Sequence, residues 1–145
     1  MFKHLLILCT GNICRSPFAE ACLRQQLETA GRDVRVESAG IGALVGHPAD
    51  EITRRLAADQ GLSLEEHRAV QVTEDHVRRA DLILVMEPVH RQYLLELSPS
   101  ARGKVFLLGH WSERVIEDPY RRSESVYQRV HEEIRQGVGE WLSRV

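Results

Sequence analysis

Residues 4–9, HLLILC, form an apolar run without the polar alternation of a half-exposed strand. Such a strand needs cover on both faces, the situation in a parallel sheet flanked by helices. The residues that follow agree with this. After a short polar loop, Phe18, Cys22, Leu23, Leu27 and Ala30 recur at helical spacing, with Pro17 suited to open the helix at its first position and Gly31 to stop it. Strand-like segments recur at 34–38, 82–86 and 104–108. Between and after them lie helical patterns from Pro48 to Asp59, behind a Thr73 cap, from Pro88 to Leu97 and from Ser123 to Leu142. This alternation predicts an α/β fold: one three-layer domain over 1–145, with a four-stranded, twisted parallel sheet and helices on both faces.

Several function classes are disfavoured by composition. Nineteen Lys plus Arg against 21 Asp plus Glu give a net charge of −2, without the basic excess of a nucleic-acid-binding surface. The apolar runs Leu5–Cys9 and Leu82–Met86 fall far short of the roughly 20 residues of a membrane span, so no membrane insertion and no signal peptide are expected. Three cysteines do not make a secreted disulfide framework, and a cytoplasmic location is the expectation. The seven histidines show neither HExxH nor Cys-x2-Cys spacing, so no metal is expected. Residues 40–46, GIGALVG, have the wrong glycine spacing and follow the wrong strand for a dinucleotide fingerprint; no cofactor is expected.

Ligands of such folds sit beyond the carboxyl ends of the strands, which points to the loop Cys9-Thr10-Gly11-Asn12-Ile13-Cys14-Arg15-Ser16. Cys9 ends the first strand facing a helix N-terminus, where backbone amides and the macrodipole favour the reactive thiolate. Gly11 lets the backbone curl and Asn12 tolerates left-handed geometry, so successive amides can form an anion cradle. Arg15 can return across that cradle and fork two N–H groups onto an oxyanion. Ser16 can donate its hydroxyl to the sulfur. A tetrahedral dianion held over a thiolate is placed for in-line attack at phosphorus.

The stretch CTGNICRSP resembles the signature loop of the low-molecular-weight protein tyrosine phosphatases. ESAG at 37–40, LILVM at 82–86 and GHW…DPY within 109–120 extend the resemblance over effectively the whole chain. It implies a phosphocysteine mechanism without metal or cofactor. In the Asp118-Pro119-Tyr120 segment it implies Asp118 as the general acid, and Tyr120 offers an aromatic wall. Asn12 and Ser38 match the pair that supports the loop's shape, and residues 41–46 match a flexible substrate loop in which Leu44 can line the slot. The GALVG loop and GHW segment are similar to a bacterial branch associated with tyrosine kinases of exopolysaccharide export, implying a phosphotyrosine protein, such a kinase, as partner. Cys14 is placed to close a disulfide with Cys9 on oxidation, with loop packing as the alternative; Cys22 reads as core. One departure is His67-Arg68-Ala69-Val70, where the family often has His-x-Ala-Arg.

Three other functions fit the same loop. Arsenate reductases relay oxidation through later cysteines; none follows Cys22 here, which leaves a glutathione-coupled version as the form that fits. A protein-arginine phosphatase carries Thr where this chain has Ile13, whose apolar bulk suits a phenyl ring. A silent phosphopeptide-binding module would not need the nucleophile, clamp and acid together.

Overall fold

A computed structural model of the chain describes residues 2–145. Four parallel strands, β1 (His4–Cys9), β2 (Arg35–Gly40), β3 (Leu82–Val85) and β4 (Val105–Leu107), lie in the order β2-β1-β3-β4. The helices are α1 (Arg15–Thr29), α2 (Glu51–Asp59), α3 (Glu74–Arg79), α4 (Pro88–Leu97) and α5 (Glu124–Leu142). Short 3-10 turns cover Pro99–Ala101 and His110–Ser112. No helix of the described residues is long and apolar enough to cross a membrane.

The unbroken apolar character of β1 has the expected cause. Leu5 and Ile7 enter a core with Phe18 and Leu23 of α1 and Val130 and Ile134 of α5. Leu6 and Leu8 point the other way, into a second core with Val77 of α3 and Leu94 of α4. Alternate residues of a strand face opposite sides, so both sets must be apolar. The α5 stripe is as spaced in the sequence, with Val130, Ile134, Val138 and Trp141 buried.

Several boundaries differ from expectation. Helix α1 begins at Arg15, two residues before Pro17, with Cys14 as its N-cap. Proline in the third position is tolerated because the first-turn amides have no partner inside the helix. Helix α2 begins at Glu51, not Pro48, because Asp50 caps it by accepting from the Ile52 amide at 3.2 Å. Strand β2 is shifted, starting at Arg35 and running on to Gly40, paired in register with Cys9. The third and fourth strands are shorter than expected, at Leu82–Val85 and Val105–Leu107. Thr73 caps α3 as expected, and Gly31 follows α1 at φ +71°.

From β1 the chain crosses to β2 on one side, then to β3 on the other. The crevice at this switch opens beyond Cys9.

Candidate active site

The loop's shape follows from where its carbonyls go. Those of Cys9, Thr10 and Gly11 accept from the amides of Ile41, Gly42 and Leu44 at 3.0, 3.0 and 3.1 Å. The Asn12 carbonyl accepts from His67 Nε2 at 2.7 Å, and that of Ile13 from the Asp50 amide at 2.8 Å. In a trans peptide the C=O of one residue and the N–H of the next point in opposite directions. Five carbonyls turned outward therefore turn the amides of residues 10–14 inward, and α1 adds its own first-turn donors. Amides converging in this way form a concave cradle whose positively polarised N–H groups suit an anion.

Asn12 sits at the tightest bend, at φ +59°. It is fully buried and both polar atoms of its side chain are held. Its Nδ2 donates to Ser16 Oγ at 2.8 Å and to Ser38 Oγ at 3.0 Å, and its Oδ1 accepts from the Val70 amide at 2.9 Å. Ser38 in turn donates to Glu20 Oε1 at 2.5 Å. The structure thus brings Asn12 and Ser38 together, and Val70 joins this network through its backbone. Only its backbone is used, the carbonyl accepting from Gly40 at 3.0 Å, while its side chain is exposed.

Cys9 Sγ lies 2.9 Å from Ser16 Oγ at the base of the cradle, and both are buried. Arg15, 1 % exposed, gives its NH1 to Glu87 Oε2 at 2.5 Å and to the Ile116 carbonyl at 2.8 Å. This leaves NH2 facing the cleft, 3.4 Å from Thr10 Oγ1 and 3.9 Å from Asp118 Oδ2. The opposite oxygen of Asp118 accepts from the Tyr120 amide at 3.0 Å, so the carboxylate is aimed inward while half of it stays in water. A cleft of about 180 Å³ gathers these groups with Ile13, Gly42, Leu44 and Tyr120. Leu44 and Tyr120 form an exposed rim and Arg121 stacks its guanidinium over Tyr120, 5.3 Å from the ring centre.

Cys14 lines the same cleft as a free, buried thiol. Burial first, then the Asp50 carboxylate, push its proton affinity far up, so it is held protonated. Cys22 is core, and burial pushes its thiol to about 11. The segment expected to be flexible at 41–46 is pinned at its base by the three amides above, while Gln71 accepts from the Ala43 amide at 3.0 Å and donates to the Ile41 carbonyl at 2.8 Å. Only its side chains at Leu44 and Val45 are free at the surface.

Glu87, His90, Glu20 and Gln71 escaped the sequence reading. Glu87 had a usable signal: it stands two residues past the end of β3, beside β1, so it must lie at the same sheet edge as Cys9.

The low molecular weight phosphotyrosine protein phosphatase family matches residues 4–145. This chain belongs to that family. The low molecular weight phosphatases are cysteine-based and metal-independent protein-tyrosine phosphatases. The chain is 45% identical to a probable low molecular weight protein-tyrosine-phosphatase, EpsP of Ralstonia nicotianae, over 100% of this chain and 97% of that one. The tyrosine phosphatase Wzb of Escherichia coli K30, solved with sulphate, superposes with a TM-score of 0.93 at 42% identity, over 99% of both chains. The YwlE arginine phosphatase, solved as a mutant with a phosphorylated active-site serine, has a TM-score of 0.91 at 28% identity, over 97% of this chain and 94% of that one. These likenesses bear out the expected family, and the parallel four-stranded sheet bears out the expected fold.

Proposed function

We propose that this protein hydrolyses phosphotyrosine through a phosphocysteine, with Cys9 as nucleophile, Arg15 as clamp and Asp118 as acid and base. The observation that carries the reading is the cleft itself: Cys9 Sγ lies beneath inward-facing amides, with Arg15 NH2 and Asp118 Oδ2 converging at 3.9 Å on its open side. The phosphate enters the cradle and its equatorial oxygens take the loop amides and the free edge of Arg15. The tyrosine ring leaves between Tyr120 and the Ile13–Leu44 side. The Cys9 thiolate forms an S–P bond as the P–O ester bond breaks, and protonated Asp118 gives its proton to the departing phenolate. Asp118 then takes a proton from water, which attacks phosphorus and returns Cys9 as thiolate with free phosphate. Ser16 Oγ, 2.9 Å from the sulfur, stabilises it at both ends of the cycle.

Two features support tyrosine over arginine as the leaving group. Identity to Wzb is 42% against 28% to the arginine phosphatase, and Ile13 puts an apolar side chain in the wall. The phosphorylated serine trapped in that arginine phosphatase supports a covalent phosphoenzyme on this fold. By resemblance to the bacterial branch, the substrate is an autophosphorylating tyrosine kinase of exopolysaccharide export, met in the cytoplasm.

The test is hydrolysis of p-nitrophenyl phosphate near pH 6 with EDTA, for the reduced wild type and Cys9→Ser in parallel. Turnover in the wild type alone, with release of phosphate from a phosphotyrosine peptide, is expected. A folded, reduced wild type without turnover overturns the reading, and a thiol-coupled arsenate assay follows.

A further inference from the structure

His90, the third residue of α4, is fully buried and makes two hydrogen bonds that lead to Arg15 by separate routes. Its Nδ1 lies 3.1 Å from the backbone nitrogen of Glu87. A backbone N–H only donates, so Nδ1 is the acceptor and the ring proton of the neutral imidazole is on Nε2. Nε2 lies 2.9 Å from Thr10 Oγ1 and donates to it. Glu87 is the residue whose carboxylate holds Arg15 NH1, and Thr10 is the residue whose hydroxyl touches Arg15 NH2. The neutral form is required, because a protonated ring would lose its acceptor for Glu87 and add charge beside the guanidinium. Burial, followed by the nearby Arg15, lowers His90 to about 4 and maintains that form.

We propose that His90 is a positioning residue for Arg15, its imidazole tying the Glu87 backbone to the Thr10 hydroxyl so that the groups flanking the guanidinium are held as one unit. The proposal rests on reading Arg15 as the phosphate clamp. Without the tie, Thr10 Oγ1 rotates freely and the Glu87 carboxylate loses its fixed origin, so the fork spreads over several orientations. An ordered cation binds a tetrahedral oxyanion better than a disordered one.

Inorganic phosphate binding separates this proposal from the proposed reaction, because it needs the clamp but no turnover. His90→Asn keeps an acceptor near the place of Nδ1 and removes the donor to Thr10, whereas His90→Gln extends an amide N–H towards Thr10. Phosphate dissociation constants are measured by calorimetry on the full chain, with thermal melts beside them. The expected result is phosphate binding weakened on the order of tenfold in His90→Asn, largely restored in His90→Gln, with both variants folded. Thr10→Val should show the same loss as His90→Asn, and the double variant no more than either. Unchanged phosphate affinity in a folded His90→Asn overturns the proposal, as do losses that simply multiply in the double variant. Wild type that binds phosphate without turning over substrate fails the reaction and not the positioning.

Discussion

Asp118 is tethered through one oxygen to the Tyr120 amide, while the other faces Arg15 NH2 at 3.9 Å. In the proposed reaction, a group so placed is the one that would protonate the leaving oxygen. Replacing Asp118 by Asn is therefore expected to slow phenyl phosphate hydrolysis by on the order of 10²–10⁴-fold. The loss should be visibly smaller on p-nitrophenyl phosphate, whose leaving group needs less help. Equal losses on both substrates would remove Asp118 from the acid role. At this scale the sequence was legible where the residues are contiguous: Cys9 through Ser16 run from the end of β1 through one short loop into the first turn of α1, and helix and strand physics order them. His90 was not legible, because its partner Thr10 lies 80 residues away, and Glu87, 72 residues from Arg15, becomes legible only once β3 is paired with β1.

At the scale of elements, the end of β2 decides how closely the second strand can approach the loop. A Cβ on Gly40 would stand 2.4 Å from the Thr10 carbonyl oxygen and 3.1 Å from the Asn12 amide nitrogen. Both are backbone atoms of the cradle and neither can step aside cheaply. Gly40→Ala is expected to lower kcat/KM by tenfold or more and to destabilise the fold by about 1–3 kcal/mol, read by steady-state kinetics and urea unfolding. Wild-type kcat/KM in that variant would show the approach to be slack. Helix starts were the least legible elements. Pro17 and Pro48 each suggested a first helical residue, but a proline reports only that its missing amide proton is not needed there. The actual starts are set by Cys14 and Asp50, and at Asp50 the reason is a side-chain cap.

Across the whole molecule, two buried histidines contribute to how the fold meets acid. Like His90, His131 on α5 is lowered to about 4, by burial alone, and among the described residues neither of its ring nitrogens has a hydrogen-bond partner. Its ring stacks on Phe18 of α1 at 3.9 Å between centres. In the unfolded chain both titrate near 6.5. Between about pH 6.5 and about pH 4 the unfolded state therefore binds protons that the folded state refuses, and stability falls as pH falls. His131→Phe keeps a ring against Phe18 and removes the titration. Its unfolding free energy should drop less between pH 7 and pH 5 than that of the wild type, by roughly 1–2 kcal/mol. Urea titrations at the two pH values check this, and parallel losses would assign the acid sensitivity elsewhere. The sequence already carried the three-layer plan in its two-sided strands; the protonation behaviour waited for the α1–α5 packing, since a histidine on an apolar stripe does not reveal whether a donor or acceptor faces it.

The attachment of residues 41–44 to the cradle is made by main-chain amides, those of Ile41, Gly42 and Leu44. A hydrogen bond from a backbone amide is indifferent to the side chain on the same residue, as long as that residue is not proline. Leu44 and Val45 can therefore be exchanged for other residues while the five outward carbonyls keep their donors. In the proposed reaction this would separate recognition from bond-breaking: a library randomised at these two positions is expected to change which phosphoprotein is preferred while the chemical centre stays intact.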